Sequence, residues 1–147
     1  MSDCIFCLIV SGQIPCHKVF ENEHFLGFLD ISPVVEGHAL VIPKKHFRWV
    51  HEVEEFGEFW EAAQKVGQAQ INGLKAATVV FATAGFQVPH AHIHVMPCLA
   101  VARKGEGGPM PLKQKGEYLP GVESAKRINM SPSQLQEVAA KLRNSVK

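Results

Sequence analysis

Between Pro89 and Pro97 the chain reads PHAHIHVMP, with histidines at positions 90, 92 and 94. A spacing of two is the period of an extended strand, whose side chains alternate between faces. The pattern predicts a strand that sets His90, His92 and His94 on one face and turns Ala91, Ile93 and Val95 toward a core. A lone histidine is most often a structural residue. Several in register point instead to a site that binds metal, holds substrate or does chemistry, with at least one of them expected to serve structure. The rest of the chain must supply a sheet for this strand and a layer to cover its apolar face.

The 147 residues, 46% hydrophobic and 20% charged, suit one domain with a sizeable core. A formal net charge of +1 gives no case for nucleic acid or an anionic membrane surface. No apolar run has the length of a membrane span. The opening MSDCIFCLIVSGQ has neither the basic region nor the cleavage site of a secretory leader. The four cysteines, Cys4, Cys7, Cys16 and Cys98, then read as reduced thiols rather than a disulfide framework, and the expected location is the cytoplasm.

Residues 18–21 and 25–30 read as short strands around the polar turn Glu21-Asn22-Glu23. DISPVVEG (30–37) is a loop and HALVIP (38–43) a β-rich run. From about 54 to 74, Phe56, Phe59, Trp60, Ala63, Val66 and Leu74 recur at helical spacing, which predicts one long amphipathic helix with Gly67 inside it and Gly73 near its end. ATVVFATAG is a strand and HAHIHVMP the next. Residues 102–121, rich in Gly, Pro and Lys, read as a long loop that is mobile or partly ordered. Ser131 can N-cap a helix that begins with Pro132 and carries Leu135, Val138, Ala139 and Leu142 to about residue 145. Strands and helices in this order predict an α+β domain spanning residues 1–147, built on an antiparallel sheet.

Cys4-x-x-Cys7, joined by two distant histidines, has the donors of a closed tetrahedral zinc site of the structural type. The pair alone reads equally well as two small buried hydrophobes. A redox role is disfavoured because no helix start or βαβ pattern follows Cys7. In GHALVIPKKH, His38 leads the strand and His46 ends the segment. Lys44 and Lys45 suit either phosphate contact or a solvated rim.

CIFCLIVSGQIP, FLDISPVVEGHALVIPKKH, the long helix and HAHIHVM together resemble, in order, the histidine triad (HIT) family of nucleotide hydrolases and transferases. The resemblance runs over the chain as far as the loop after Pro97 and then weakens. It implies an antiparallel sheet of about five strands with a long helix packed on it, and a homodimer. By the same resemblance His92 is the nucleophile and His94 and His38 line the phosphate pocket. Asp30 meets the ribose hydroxyls, Phe28 and Ile31 form the slot for the base, and Gly85 brings its backbone close to phosphate. Several bacterial members hold a structural zinc through C-x-x-C and two histidines, which implies Cys4, Cys7, His46 and His90 as ligands here.

The chain also departs from the family. Most members place an amide-bearing residue on the strand before the triad and a Gly-Gln pair in the following loop. Here the text is VVFATAGFQVPH, with Phe86 after Gly85 and Gln87 where a serine or threonine often touches phosphate. Gln87 is expected to substitute, and Thr83 to replace the missing amide. Pro97-Cys98 also lack the arginine common after the triad. The implied activity is hydrolysis at the α-phosphate of purine nucleotide conjugates, of the phosphoramidase kind. A dinucleoside polyphosphate hydrolase is the near alternative. A nucleotide-binding regulatory module with weak catalysis, and a zinc hydrolase using all the triad histidines as ligands, are readings from other classes.

Overall fold

A computed structural model of the chain describes residues 3–83, 85–98 and 126–147. The elements run α1 (Ile5–Val10), β1 (Lys18–Glu21), β2 (Phe25–Leu29), β3 (Ala39–Pro43), α2 (Phe56–Leu74), β4 (Thr78–Ala82), β5 (Ile93–Cys98) and α3 (Pro132–Ser145). One 3₁₀ turn, Val50–Glu52, precedes α2. The long loop expected over 102–121 lies outside the described residues. The strands form one five-stranded sheet in the order β1-β2-β3-β5-β4, and every neighbouring pair is antiparallel. The expected α+β architecture, an antiparallel sheet with a long helix packed on it, is the one observed.

Alternation along the strands divides the interior in two. Phe25 and Leu29 of β2, Ala39 and Val41 of β3, and Ile93 and Val95 of β5 pack in one cluster with Phe59, Ala63 and Val66 of α2 and Leu135, Val138 and Leu142 of α3. The intervening residues Leu26, Phe28, Leu40 and Ile42 pack on the opposite face with Cys4 and Phe6. The period of two thus sends one set of side chains to the helical layer and the other to α1. His94 pairs with Leu40 across the β3–β5 ladder and so lies on the α1 face.

Capping marks where α3 starts. Ser131 accepts from the Gln134 amide, the Gln134 side chain reaches back to the Ser131 amide, and Pro132 opens the helix. In α2, Gly67 is a packing requirement rather than a weak point. A Cβ there would come within 3.1 Å of Val79 and 3.2 Å of Phe81, so the missing side chain lets β4 approach the helix closely.

Two expectations need correction. The histidine strand was predicted to span 90–97, but β5 begins only at Ile93. His90 and His92 stand in the bend that leads into it. Tertiary contacts hold this bend: the Ala91 amide donates to the Phe47 carbonyl, His90 Nε2 to the Pro43 carbonyl, and Thr83 Oγ1 to the His92 carbonyl. The segment after Cys4 was read without a helix, yet Cys4 is the N-cap of α1, its sulfur 3.5 Å from the Cys7 amide. Cys7 therefore sits in the first helical turn, and the next elements are β1 and β2, so no helix start or βαβ unit follows Cys7, as expected.

Gln70 ties the helical layer to the sheet. It is fully buried on α2, and its Nε2 donates to the carbonyls of Gly37 and Val95, each at 2.9 Å. Those carbonyls precede His38 and follow His94 by one residue. The variant Gln70→Leu leaves both without this donor inside the protein, at a cost of about 2 kcal/mol. Urea unfolding should show that loss as a lowered midpoint, and an unchanged midpoint would contradict the role given to Gln70.

Candidate active site

Hydrogen bonds assign a tautomer to each histidine on the α1 face. The Val34 amide donates to His38 Nδ1 at 3.1 Å, so this nitrogen carries the lone pair and the ring proton is on Nε2. His38 Nε2 then donates to His94 Nδ1 at 2.9 Å. His94 is left with its proton on Nε2 and presents a donor. His92 is wired the other way. Its Nδ1 lies 2.7 Å from the His90 carbonyl, which only accepts, so Nδ1 holds the proton and the lone pair is on Nε2. The His92 and His94 rings lie 5.0 Å apart, edge to face. The chain thus sets a donor beside a lone pair.

Burial keeps His38 and His94 neutral. It pushes His38 down to about 3 and His94 down to about 2. Asp30 Oδ2 approaches His38 Nε2 to 3.8 Å, but with a neutral imidazole that contact is not an ion pair. Burial also raises Asp30, against the pull of the Ser32 amide and then Arg127.

His92 and His94 open onto a cleft of about 230 Å³. Of the residues expected to bind substrate, Phe28, Asp30, Ile31 and Gln87 line it. Gly85 adopts φ +79°, and a Cβ on it would lie 3.7 Å from His92 Cε1, so it borders the nucleophile candidate without lining the cleft. His38 stands behind His94. Thr83 is a correction: its Oγ1 donates to the His92 carbonyl at 2.8 Å, so it fixes the backbone of the triad and does not face the cleft. Sequence reasoning did not foresee the apolar wall supplied by Ile5, Phe6 and Ile9 of α1, nor Arg127. It also missed Arg48, whose Nη1 donates to the Gly85 carbonyl at 2.7 Å and whose guanidinium lies 3.7 Å over the Trp49 ring. Phe86 meets that Trp49 edge-on at 5.9 Å, which gives the unusual loop residue an aromatic partner.

Cys4, Cys7, His46 and His90 converge, with one donor atom from each lying within 4.8 Å of all the others. The sulfur of Cys4 is 3.3 Å from His90 Nδ1, and that of Cys7 is 3.2 Å from His46 Nδ1 and 3.5 Å from His90 Nδ1. His90 Nε2 donates to the Pro43 carbonyl at 2.8 Å, which turns the Nδ1 lone pair toward the sulfurs. This cluster is able to hold a metal ion. Asp30, His38 and His94 also lie close together, but the nearest nitrogens of the two rings are already spent on each other. The triad histidines do not share one cluster: His90 faces the cysteines and His94 faces His38. Phe6 bridges the two regions, with its ring edge-on to His90 at 5.8 Å and to His92 at 5.4 Å.

Comparison with known proteins agrees with this geometry. The family model for the HIT domain matches residues 11–100. The Bacillus subtilis protein called hit is 41% identical over 112 residues, covering 71% of this chain and 75% of that one. An adenosine 5′-monophosphoramidase of Schizosaccharomyces pombe is 40% identical over 105 residues, covering 64% of this chain and 73% of its own length. Among solved structures, a zinc-bound histidine triad family protein from Mycobacterium smegmatis superposes with a TM-score of 0.69 at 32% identity, covering 98% of this chain and 93% of that one. The HIT domain model matches more than half of the chain, and this protein belongs to the HIT family.

Proposed function

We propose that this HIT protein is a nucleotide hydrolase that cleaves purine nucleotide conjugates at the α-phosphate, in the manner of a phosphoramidase. The observation that carries the reading is the opposed wiring of the neighbouring rings, with a lone pair on His92 Nε2 and a proton on His94 Nε2. His92 attacks the α-phosphorus as the bond to the leaving group breaks, and a departing amine carries away a proton taken from water. Water then attacks the phosphorus and frees His92. The His94 donor, backed by His38, stabilises negative charge on the phosphoryl oxygens. Asp30 accepts from the ribose hydroxyls. Phe28 and Ile31 take the base, Gly85 allows close backbone approach, and Gln87 stands at the phosphate. Relatives named as adenosine 5′-monophosphoramidases, at 40% and 36% identity, favour this over dinucleoside polyphosphate hydrolysis.

Zinc is the ion we assign to Cys4, Cys7, His46 and His90. Two thiolates and two imidazoles around tetrahedral zinc place each sulfur about 3.5 Å from each nitrogen. The separations of 3.2, 3.3 and 3.5 Å fit that figure. Burial, and then Cys4, raise the Cys7 thiol, and a divalent cation supplies the charge that stabilises its thiolate. With all four donors from protein, the ion is structural, and it orders the bend that carries His92. A single domain acting as a cytoplasmic homodimer completes the reading. Among the described residues β4 is an open sheet edge, and its Phe81 forms an aromatic row with Trp60 and Phe56 of α2, Phe56 being 47% and Phe81 39% exposed. Among the described residues no helix is long and apolar enough to cross a membrane.

Two measurements follow. Reactions with adenosine phosphoramidate and with diadenosine polyphosphates, quenched in alkaline denaturant, should yield by mass spectrometry a nucleotidyl adduct on His92 that is absent from His92→Asn. Tight nucleotide binding with neither adduct nor turnover would instead favour a regulatory module. Cys4→Ser should release zinc in metal analysis and lower thermal stability. If zinc stays bound in Cys4→Ser, the ligand assignment fails.

A further inference from the structure

Nothing near Arg127 in sequence singles it out, yet its guanidinium lines the same cleft as His92 and His94. Nη1 donates to Asp30 Oδ2 at 3.3 Å and to the Ser32 carbonyl at 2.9 Å. The next residue is fastened to the same loop, with the Ile128 amide donating to the Pro33 carbonyl at 2.8 Å. Residues 127–128 are therefore strapped onto residues 30–33, which lie 97 positions away in the Arg127–Asp30 pair.

The strap bears on a single side chain of the cleft. Asp30 Oδ1 accepts from the Ser32 amide at 2.8 Å, while Oδ2 faces Arg127. The side chain of Asp30 is only 16% exposed, and its surroundings in the cleft include Phe6, Phe28, Ile31 and Leu40. An apolar setting favours the neutral acid. Neutral His38 brings no charge to oppose that, whereas Arg127 does. A carboxylate offers about four acceptor sites. With the Ser32 amide and Arg127 on two of them, the remaining directions are fixed for other donors.

We propose that Arg127 is a positioning residue for nucleotide recognition: it holds Asp30 as an aimed carboxylate acceptor for the ribose 2′ and 3′ hydroxyls. The segment before α3 thereby becomes part of the ribose site, and the protein selects ribonucleotides over 2′-deoxyribonucleotides. This rests on the reading in which Asp30 meets the ribose. A guanidinium acting only as a general attractor for phosphate would strengthen binding of both kinds of nucleotide alike.

The test is calorimetric titration of the full chain with AMP and with 2′-deoxy-AMP, with turnover of the matching phosphoramidates measured alongside. Wild type should bind AMP about tenfold more tightly, the size expected for a hydrogen bond to a charged group. Arg127→Ala should bring that preference to within about twofold, raising KM for the ribonucleotide substrate more than it lowers kcat. Asp30→Asn should erase the preference too, and the double variant should lose no more than either single one. Arg127→Lys, which keeps the charge, should restore most of it, and a merely structural residue would show no such rescue. If Arg127→Ala weakens both nucleotides by one factor, or leaves their ratio unchanged, the proposal is overturned. Wild type that binds AMP preferentially but turns nothing over would sink the hydrolase reading, while the binding ratio still judges Arg127. Wild type that binds neither nucleotide would sink both.

Discussion

The site depends on how His90 is held. Both nitrogens of its ring are committed, one to the Pro43 carbonyl at 2.8 Å and the other to the sulfurs of Cys4 and Cys7. With the ring pinned, the main chain at 90 is pinned as well, and the carbonyl of that same residue accepts from His92 Nδ1 at 2.7 Å. The bond decides which nitrogen of His92 carries the lone pair. One residue therefore couples the cysteine cluster to the orientation and tautomer of its neighbour in the triad. A buried polar network of this kind rigidifies only when every member has a partner, and here each ring has one.

The sheet separates stability from chemistry. One face is filled by aliphatic and aromatic side chains against α2 and α3, and it carries most of the apolar burial. The other face is where α1, the cysteines and the histidines gather. Gln70 crosses between the layers, binding the carbonyls next to His38 and His94 from the helical side. The histidine relay is thus braced from behind by the core and from the side by the cysteine cluster. A site braced by strands and helices is held more tightly than one built on open loops.

Where the sequence carries a long periodic signal, its reading holds. The apolar spacing from Phe56 to Leu74 gave α2, the Ser131-Pro132 cap gave the start of α3, and the spacing of two gave the inward turn of Ile93 and Val95. Phe28, Asp30, Ile31, Gln87, His92 and His94 lie together around the cleft, and Cys4, Cys7, His46 and His90 converge, because their motifs are local and chemically specific. What escaped has a physical reason. α1 is only six residues long, and its N-cap is a cysteine, which is not among the favoured capping residues. Bends that present side chains alternately look like strand from spacing alone, which hid the true start of β5 at Ile93. Thr83 could be marked as polar, but only the fold shows its hydroxyl on the His92 carbonyl. Arg48 and Arg127 act through tertiary contacts with residues 37 and 97 positions away, and a single cation on the chain announces no such partner. The GFQ loop, which departs from the family pattern, is anchored by Arg48 through the Gly85 carbonyl and by Trp49 through Phe86.

Backbone contacts wire neighbouring imidazoles in opposite senses. Long-range proton–nitrogen correlation spectra of the ¹⁵N-histidine-labelled protein, at neutral pH, read this directly. His38 and His94 should be neutral with the proton on Nε2, and His92 should carry its proton on Nδ1. A proton on Nε2 of His92, or a doubly protonated ring at His38 or His94, would contradict this wiring.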